Sequence, residues 1–366
     1  MSSTWGERLK ISIFGGSHSR GIGVTVSGLP AGEKIDMEQV LLQMSRRAPG
    51  SDPTATARKE ADFPEILCGM SPEGILHGDP VSAVIFNSSQ HSSDYKGLDI
   101  TPRPGHADFS AFVKYNGYNE ISGGGHFSGR LTAPLVFAGA LCRQILKKRG
   151  IFIGAHASEI GGVCDEPFDY ANIDLTELER LSSEFFPVRS AETKEKMREK
   201  IAEKKSAGDS VGGVITCAVA GLPAGVGDPM FDGCENLIAS IVFGIPAVKG
   251  VSFGAGFGVA GLCGSENNDP WYYDESGNVK SKTNNAGGIL GGITTGMPLV
   301  FHAAIKPTPS IGMEQDTIYL DKKTEAILAV KGRHDPCIVP RAIPVVEAAA
   351  AVAVTELLLR EGRLSV

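Results

Sequence analysis

The chain has 366 residues, 42% of them apolar and 21% charged, with a net charge of −7. That is a composition for one large layered domain or two average ones, and the acidic balance argues against non-specific binding of nucleic acid. Glycine is the outlier, with 46 residues where average usage gives about 26. Glycine concentrates where a chain turns sharply or where backbone approaches a ligand closely. Apolar residues interleave with these glycines throughout, which excludes a flexible linker protein.

Leu9–Phe14 alternates and stops at Gly15-Gly16, so a strand is expected there, followed by a second over Gly21–Ser27. Gly28-Leu-Pro-Ala-Gly32 punctuates it, and Ile35–Arg47 has helical spacing with Asp36 as N-cap. Ser128–Lys148 carries apolar residues at helical spacing and closes on Lys147-Lys148-Arg149-Gly150. Ser190–Ser206 reads as a charged helix with a solvated face. The early arrangement then returns: a strand over Val214–Ala220, Gly221-Leu-Pro-Ala-Gly225, and a helix over Asp232–Val242. Arg341–Arg363 predicts an alanine-rich helix. Glu347 and Glu356 interrupt its apolar stretch Ala342–Leu359, which suits a packed helix better than a membrane span. These elements do not alternate in strict βαβα order, which predicts α+β architecture with antiparallel sheets in a single domain over 1–366. The repeated GLPAG suggests related halves at about 8–150 and 208–360.

Seven scattered cysteines without a C-x-x-C read as reduced thiols of a cytoplasmic protein, not as a disulfide framework or zinc site. Met1–Arg8 has no apolar run, so no secretory signal is expected and no membrane association is implied. Neither H-E-x-x-H nor paired Cys/His spacing occurs, so no metal is expected. Nor does a G-x-G-x-x-G open a helix after an early strand, which leaves a dinucleotide site unsupported.

Three glycine-flanked clusters could carry chemistry. In Gly15-Gly-Ser-His-Ser-Arg20, His18 is either exposed to a cleft or an ordinary turn histidine. Ser17 and His18, as adjacent residues, are expected to point apart, which argues against a nucleophile–base pair. The second cluster joins Arg103-Pro-Gly-His-Ala-Asp108 to Gly123-Gly-Gly-His-Phe-Ser-Gly-Arg130. A glycine run before a helix offers N–H groups to an anion, Arg130 can add a bidentate contact, and His106 is a candidate proton donor. Asp108 reads more readily as a helix N-cap than as a catalytic group. The third cluster is Gly332-Arg-His-Asp-Pro-Cys337, where His334 and Asp335 are turn residues by default. Arg46, Arg47, Arg58, Lys59, Arg103, Arg130, Lys306, Arg333 and Arg341 gather in the same regions, which in an acidic chain suggests a pocket for a multiply charged small anion.

Together these clusters resemble the three signature regions of the chorismate synthase family. The first is Gly15-Gly16-Ser17-His18-Ser19 followed by Gly28-Leu29-Pro30. The second is Gly125-x-x-Ser128-Gly129-Arg130-x-Thr132, and the third is Arg333-His334-Asp335-Pro336-Cys337 with Arg341 and Glu347. Supporting segments, among them Arg46-Arg47-x-Pro49-Gly50 and Lys306-Pro307-Thr308-Pro309-Ser310, extend the likeness from about Gly6 to the C-terminal helix. The resemblance implies a β-α-β sandwich, a homotetramer, one reduced FMN per subunit and no metal. It implies an anti 1,4-elimination of phosphate from 5-enolpyruvylshikimate 3-phosphate (EPSP) without net redox change. NADPH as reductant and an external flavin reductase are the associated expectations.

By position, His18, His106 and Asp335 match the family's functional residues. His126, Phe127, Ser128, Pro246, Ala247, Gly291, Lys306, Pro307, Thr308, Pro309, Ser310 and Arg333 match FMN contacts. Arg47 matches an anion-binding arginine, and Arg46, Arg103, Arg130 and Arg341 are expected to share the substrate's phosphate and carboxylates. Gly16, Ser19, Pro53, His126, Phe127 and Pro246 depart from the usual pattern, the last three of them at FMN contacts. Two rival readings are a flavoprotein oxidoreductase, which needs a dinucleotide site, and a non-catalytic relative, in which the acid and base residues should be lost.

Overall fold

The structure, a computed structural model, describes residues 3–50, 62–87, 99–330 and 334–365. Its first sheet has strands β1 (Thr4–Trp5), β2 (Lys10–Gly15), β3 (Gly21–Ser27), β4 (Glu65–Cys68) and β5 (Val81–Phe86), in the antiparallel order β1-β2-β3-β5-β4. The alternation in β3 explains its placement. Ile22, Val24 and Val26 are buried on one face, while Thr25 on the other meets Ser82 of β5 at 3.0 Å.

A second five-stranded antiparallel sheet contains β6 (Phe152–Ile160), β7 (Val163–Cys164), β8 (Gly213–Ala220) and β9 (Val248–Phe253). Two small hairpins follow, β10 (Trp271–Tyr273) with β11 (Val279–Ser281) and β12 (Ile289–Leu290) with β13 (Ile293–Thr294), before β14 (Leu299–Ile305) completes the second sheet in the order β7-β6-β8-β14-β9. A separate hairpin of β15 (Gln315–Tyr319) and β16 (Thr324–Leu328) bonds to the loop at 100–102, Leu320 N–H to Ile100 O at 2.8 Å and Thr317 Oγ1 to Pro102 O at 2.5 Å.

The described helices are α1 (Met37–Arg47), α2 (Asp108–Lys114), α3 (Thr132–Lys147), α4 (Leu175–Leu181), α5 (Ala191–Ser206), α6 (Cys234–Phe243), α7 (Gly264–Asn267) and α8 (Val339–Arg360). α3 and α8 cross tightly between the two sheets, with α1 and α6 against them, so one apolar core runs through sheet, helices and sheet. The expected α+β architecture with antiparallel sheets is what the chain forms.

Both GLPAG segments occupy the same place. Each follows the third strand of its sheet's order, each opens on a glycine with φ near +87° or +86°, and each leads to a helix, α1 or α6. Asp36 caps α1, its carboxylate accepting from Glu38 N–H at 2.9 Å, and Ser190 caps α5, which buries only Met197 and Ile201. α8 is long and apolar enough to cross a membrane, but its apolar stretch is buried within the protein. Its two acids are satisfied there. Glu347 takes Arg46 at 2.5 Å, Arg143 at 3.2 Å and Ala155 N–H at 3.0 Å. Glu356 accepts the N–H groups of Glu7, Arg8 and Leu9 at 3.0, 3.0 and 2.5 Å and Arg360 Nε–H at 2.7 Å.

Candidate active site

The turn after β2 and the loop before α3 bring the first two clusters together. Gly123 and Gly124 both lie in the left-handed region, with φ of +64° and +85°. A Cβ on Gly123 would fall 2.1 Å from the His18 ring, and one on Gly124 would fall 3.2 Å from Cε1 and Nε2 of His106. Consecutive glycines therefore each pack against one of the two imidazoles, although 88 positions separate His18 from His106 in the chain. The run is not the helix N-terminus expected of it, because a short 3-10 turn at Gly129–Leu131 intervenes before α3. The glycines provide clearance for side chains instead of a row of N–H donors. Ser17 and His18 do not point apart either. In this tight turn Ser17 Oγ lies 3.2 Å from His18 Nδ1 and 3.4 Å from Ser122 O.

From the two histidines, bonded contacts run round a closed ring. The His106 imidazole meets Asp108 at 2.6 Å, and Asp108 takes Arg103 Nε–H at 2.7 Å. Arg103 donates to Ser310 Oγ at 3.3 Å, Lys306 Nζ donates to Gly105 O, and Ser210 Oγ donates to Thr308 O at 2.7 Å. The neighbouring Val211 N–H reaches Pro336 O at 2.8 Å, beside Asp335, whose carboxylate pairs with Arg341. Arg341 Nε–H bonds Arg47 O at 3.0 Å, and Arg47 and Arg130 share the carboxylate of Asp62, Arg47 at 2.7 Å. Arg130 continues to Asn87 Oδ1 at 3.1 Å, and Asn87 donates to Gly16 O and Ser19 O at 3.1 and 2.8 Å, which returns the ring to His18.

Charge on the Asp62 side of the ring is cationic in an acidic protein. Arg47, Arg130 and Arg341 stand against Asp62 and Asp335. Burial lowers Arg47 to about 10; Asp62 opposes that shift, and Arg341 and Arg130 add to it. Burial pushes the Asp62 carboxyl up, but Arg47 and Arg130 overcome this and hold it below the usual carboxylate range. Two polar groups on the ring are buried with no partner among the described residues, one terminal nitrogen of Arg47 and Oγ1 of Thr308. An unmet buried donor costs about 1–3 kcal/mol, and both groups are of the donor type that acceptor oxygens of a phosphate-bearing ligand would satisfy. The residues present thus fit such a group.

The other sequence-derived candidates divide. Ala247, at φ +76°, accepts Lys306 N–H at 3.0 Å, which places Pro246-Ala247 beside the Lys306–Ser310 loop. His126 donates from Nδ1 to Gly15 O at 2.9 Å and meets Ser3 Oγ at 2.7 Å, so its ring is tied to backbone near the site. Phe127 is partly exposed and tilts against Tyr115 at 6.5 Å, while Ser128 Oγ caps the 3-10 turn. Arg46 does not join the ring. Its five N–H groups all go to Glu347, Gln43, Glu184 O and Leu181 O in the core, which leaves none for an anion. Gly291 sits at the tip of the β12–β13 hairpin, by the Leu299 end of β14, whereas Lys306 follows its other end about 20 Å away. Arg333, Pro53, Arg58 and Lys59 lie outside the described residues. At Gly16, a Cβ would fall 2.5 Å from Glu120 Oε2, so the absence of a side chain makes room for that carboxylate. Two clefts among the described residues are lined by Phe168, Arg180 and Arg189 and by Trp271 and Gly221–Ala224.

Sequence reasoning missed Asp62 and Asn87 altogether and assigned Asp108 to a cap. Ala107 holds the N-cap position of α2, and Asp108 spends its carboxylate on Arg103 and His106.

A family profile described as Chorismate synthase matches residues 9–359. A protein of Lancefieldella parvula named Chorismate synthase is 44% identical, over 98% of this chain and 96% of its own. One of Thermococcus kodakarensis with the same name is 45% identical, over 97% of each chain. A solved structure described as Crystal Structure of Chorismate Synthase superposes with a TM-score of 0.77 at 28% identity, over 98% of this chain and 93% of its own. Likeness on this scale covers both sheets, the helices between them and every described segment of the ring, and so the chain belongs to the chorismate synthase family, lyases that eliminate phosphate from EPSP.

Proposed function

We propose that the ring is where this elimination takes place, with His18, His106 and Asp335 as its proton-handling groups. The observation that carries the reading is the seating of His18 and His106 on adjacent glycines, with a bonded path from them to Asp335. The departing C3 phosphate needs a proton, and His18 is the donor on the Asn87–Arg130 side of the ring. Asp335, oriented by Arg341, is the proton acceptor as C6 loses its hydrogen. His106 holds a proton opposite. Arg47, Arg130 and Arg341 bind the phosphate and carboxylates, with Arg47 offering the nitrogen that has no partner among the described residues.

The C6 proton is weakly acidic, so a side-chain base alone is a poor catalyst. Reduced FMN, when bound, supplies the electron density that assists departure of the phosphate. Lys306–Ser310, Pro246-Ala247, Phe127, Ser128 and Arg333 would hold it. Gly291 lies far from the ring of its own chain but close to exposed Phe231, since Gly233 packs on Gly292. We assign it to the ring of a neighbouring copy in a homotetramer, which exposed Phe231, Phe257 and Tyr273 support. The shared four-strand orders β2-β3-β5-β4 and β6-β8-β14-β9 and the two GLPAG turns support two halves related by duplication within one domain. Seven free thiols support a cytoplasmic setting, with flavin reduced by an external reductase.

The test is anaerobic conversion of EPSP by the purified protein with dithionite-reduced FMN, with and without NADPH. Turnover without stoichiometric NADPH is expected, and His106→Ala and Asp335→Ala should each lower it by about 10²–10⁴-fold. Stoichiometric NADPH consumption would favour an oxidoreductase, and wild-type rates in either variant would remove that residue's role.

A further inference from the structure

We propose that Arg103 and Asp108 form a positioning pair that fixes His106 in its Nδ1–H form and aims Nε2 at the space beside Gly124. The inference deepens the reading of the ring above and rests on it for the identity of the reaction.

The geometry is that of a clamp. Arg103 is only 5% exposed. Its Nε–H and a terminal N–H reach the two oxygens of Asp108 at 2.7 and 2.8 Å, a fork-on-fork pairing, and its backbone N–H adds a third bond at 3.0 Å. Asp108 then meets His106 Nδ1 at 2.6 Å, while the Arg103 terminal nitrogen lies 3.1 Å from that same Nδ1. Both neighbours cannot be satisfied at once. A guanidinium only donates and an ionised carboxylate only accepts. With a bare Nδ1, the imidazole lone pair would face the Asp108 oxygen at 2.6 Å, acceptor against acceptor. With a proton there, the short contact becomes a charge-assisted bond and the longer one is mere proximity.

Asp108 is ionised in this setting. Burial pushes its carboxyl up, but hydrogen bonds from Arg103 and His106 overcome that and hold it well below the usual range. Nδ1 must therefore carry the proton, and the exchangeable site is left at Nε2, 3.2 Å from where a Gly124 side chain would begin. The carboxylate does not cap its own helix, since Ala107 is at that position without a side-chain bond. Arg103 is correspondingly withdrawn from the set expected to bind substrate. Its remaining terminal nitrogen goes to Ser310, so one guanidinium fixes both the histidine and the Lys306–Ser310 loop.

The test is nitrogen-15 NMR of the histidines in the full-length protein, at a pH where His106 is neutral, for wild type and Asp108→Asn. It is paired with kcat and KM for EPSP in the anaerobic assay. The wild type should show His106 as Nδ1–H. Asp108→Asn should populate Nε2–H and lower kcat by about 10²-fold, with KM changed less than about threefold, and Asp108→Glu should recover part of kcat. Arg103→Lys, which keeps the charge but loses the fork, should shift the tautomer in the same direction and serves if Asp108→Asn folds poorly. An Nε2–H wild type would overturn the proposal, as would a loss of kcat without any tautomer change. The NMR result does not depend on turnover. A protein that shows the Nδ1–H form but does not convert EPSP would therefore sink the reading of the ring and leave the pair intact.

Discussion

Gly123 has no room for a methyl group, since its Cβ position lies 2.1 Å from the His18 ring and its φ is +64°. Gly123→Ala should therefore displace His18 while leaving the core untouched. The expected result is a fall in EPSP turnover of about 10²-fold, the usual effect of a misplacement near 1 Å, with a melting temperature close to wild type. At this scale the sequence displayed the acids and bases but not their partners. His18, His106 and Asp335 stand in glycine- or proline-marked turns that single them out. Asp62 and Asn87 carry no such mark, because their role comes only from Arg47 and Arg130 arriving from other elements. Arg46 and Arg47 show the same limit from another side. Adjacent residues on a helix point about 100° apart, so one enters the core and the other the ring, and their spelling does not say which.

Among the helices, its cap made the start of α1 legible, since Asp36 bonds the first turn, whereas the start of α5 is legible from its charges alone and Ser190 proves to be its cap. The stretch before α3 was misread because glycine placed close to a helix suggests its N-terminus, whereas the chain inserts a 3-10 turn between them. The crossing of α3 and α8 had no legible signal at all. It depends on Gly139, where a Cβ would fall 2.3 Å from Ala348 Cβ and 2.4 Å from its Cα. Gly139→Ala must push the two central helices apart. Overpacking of that kind costs about 1–3 kcal/mol, to be read as a lower urea midpoint with an unchanged slope.

For the whole molecule, antiparallel α+β layering followed from strands that did not alternate strictly with helices, while the order of strands within each sheet needed the coordinates. The sandwich also sets a pH window. Burial raises Asp62 and Asp108, but their arginine partners reverse the shift and leave both low. Their stabilisation is complete above the unfolded value near ~4 and fades as pH falls through the folded values. Burial raises the thiols of Cys142, Cys234 and Cys337 to about 12. Their contribution is complete below the unfolded value near ~8.5 and is lost as pH climbs toward the folded one. Urea midpoints should therefore form a plateau between roughly pH 5 and 8 and decline on both sides; a midpoint still rising at pH 10 would contradict the alkaline limb. The clasp of Glu356 on the N–H groups of Glu7, Arg8 and Leu9 has a consequence for biosynthesis. A ribosome releases those three residues almost 350 positions before the carboxylate that secures them, so the link between β1 and β2 must wait without that clasp until α8 emerges. Nascent chains halted ahead of Val339 should bind chaperones and resist no protease, however complete their first sheet.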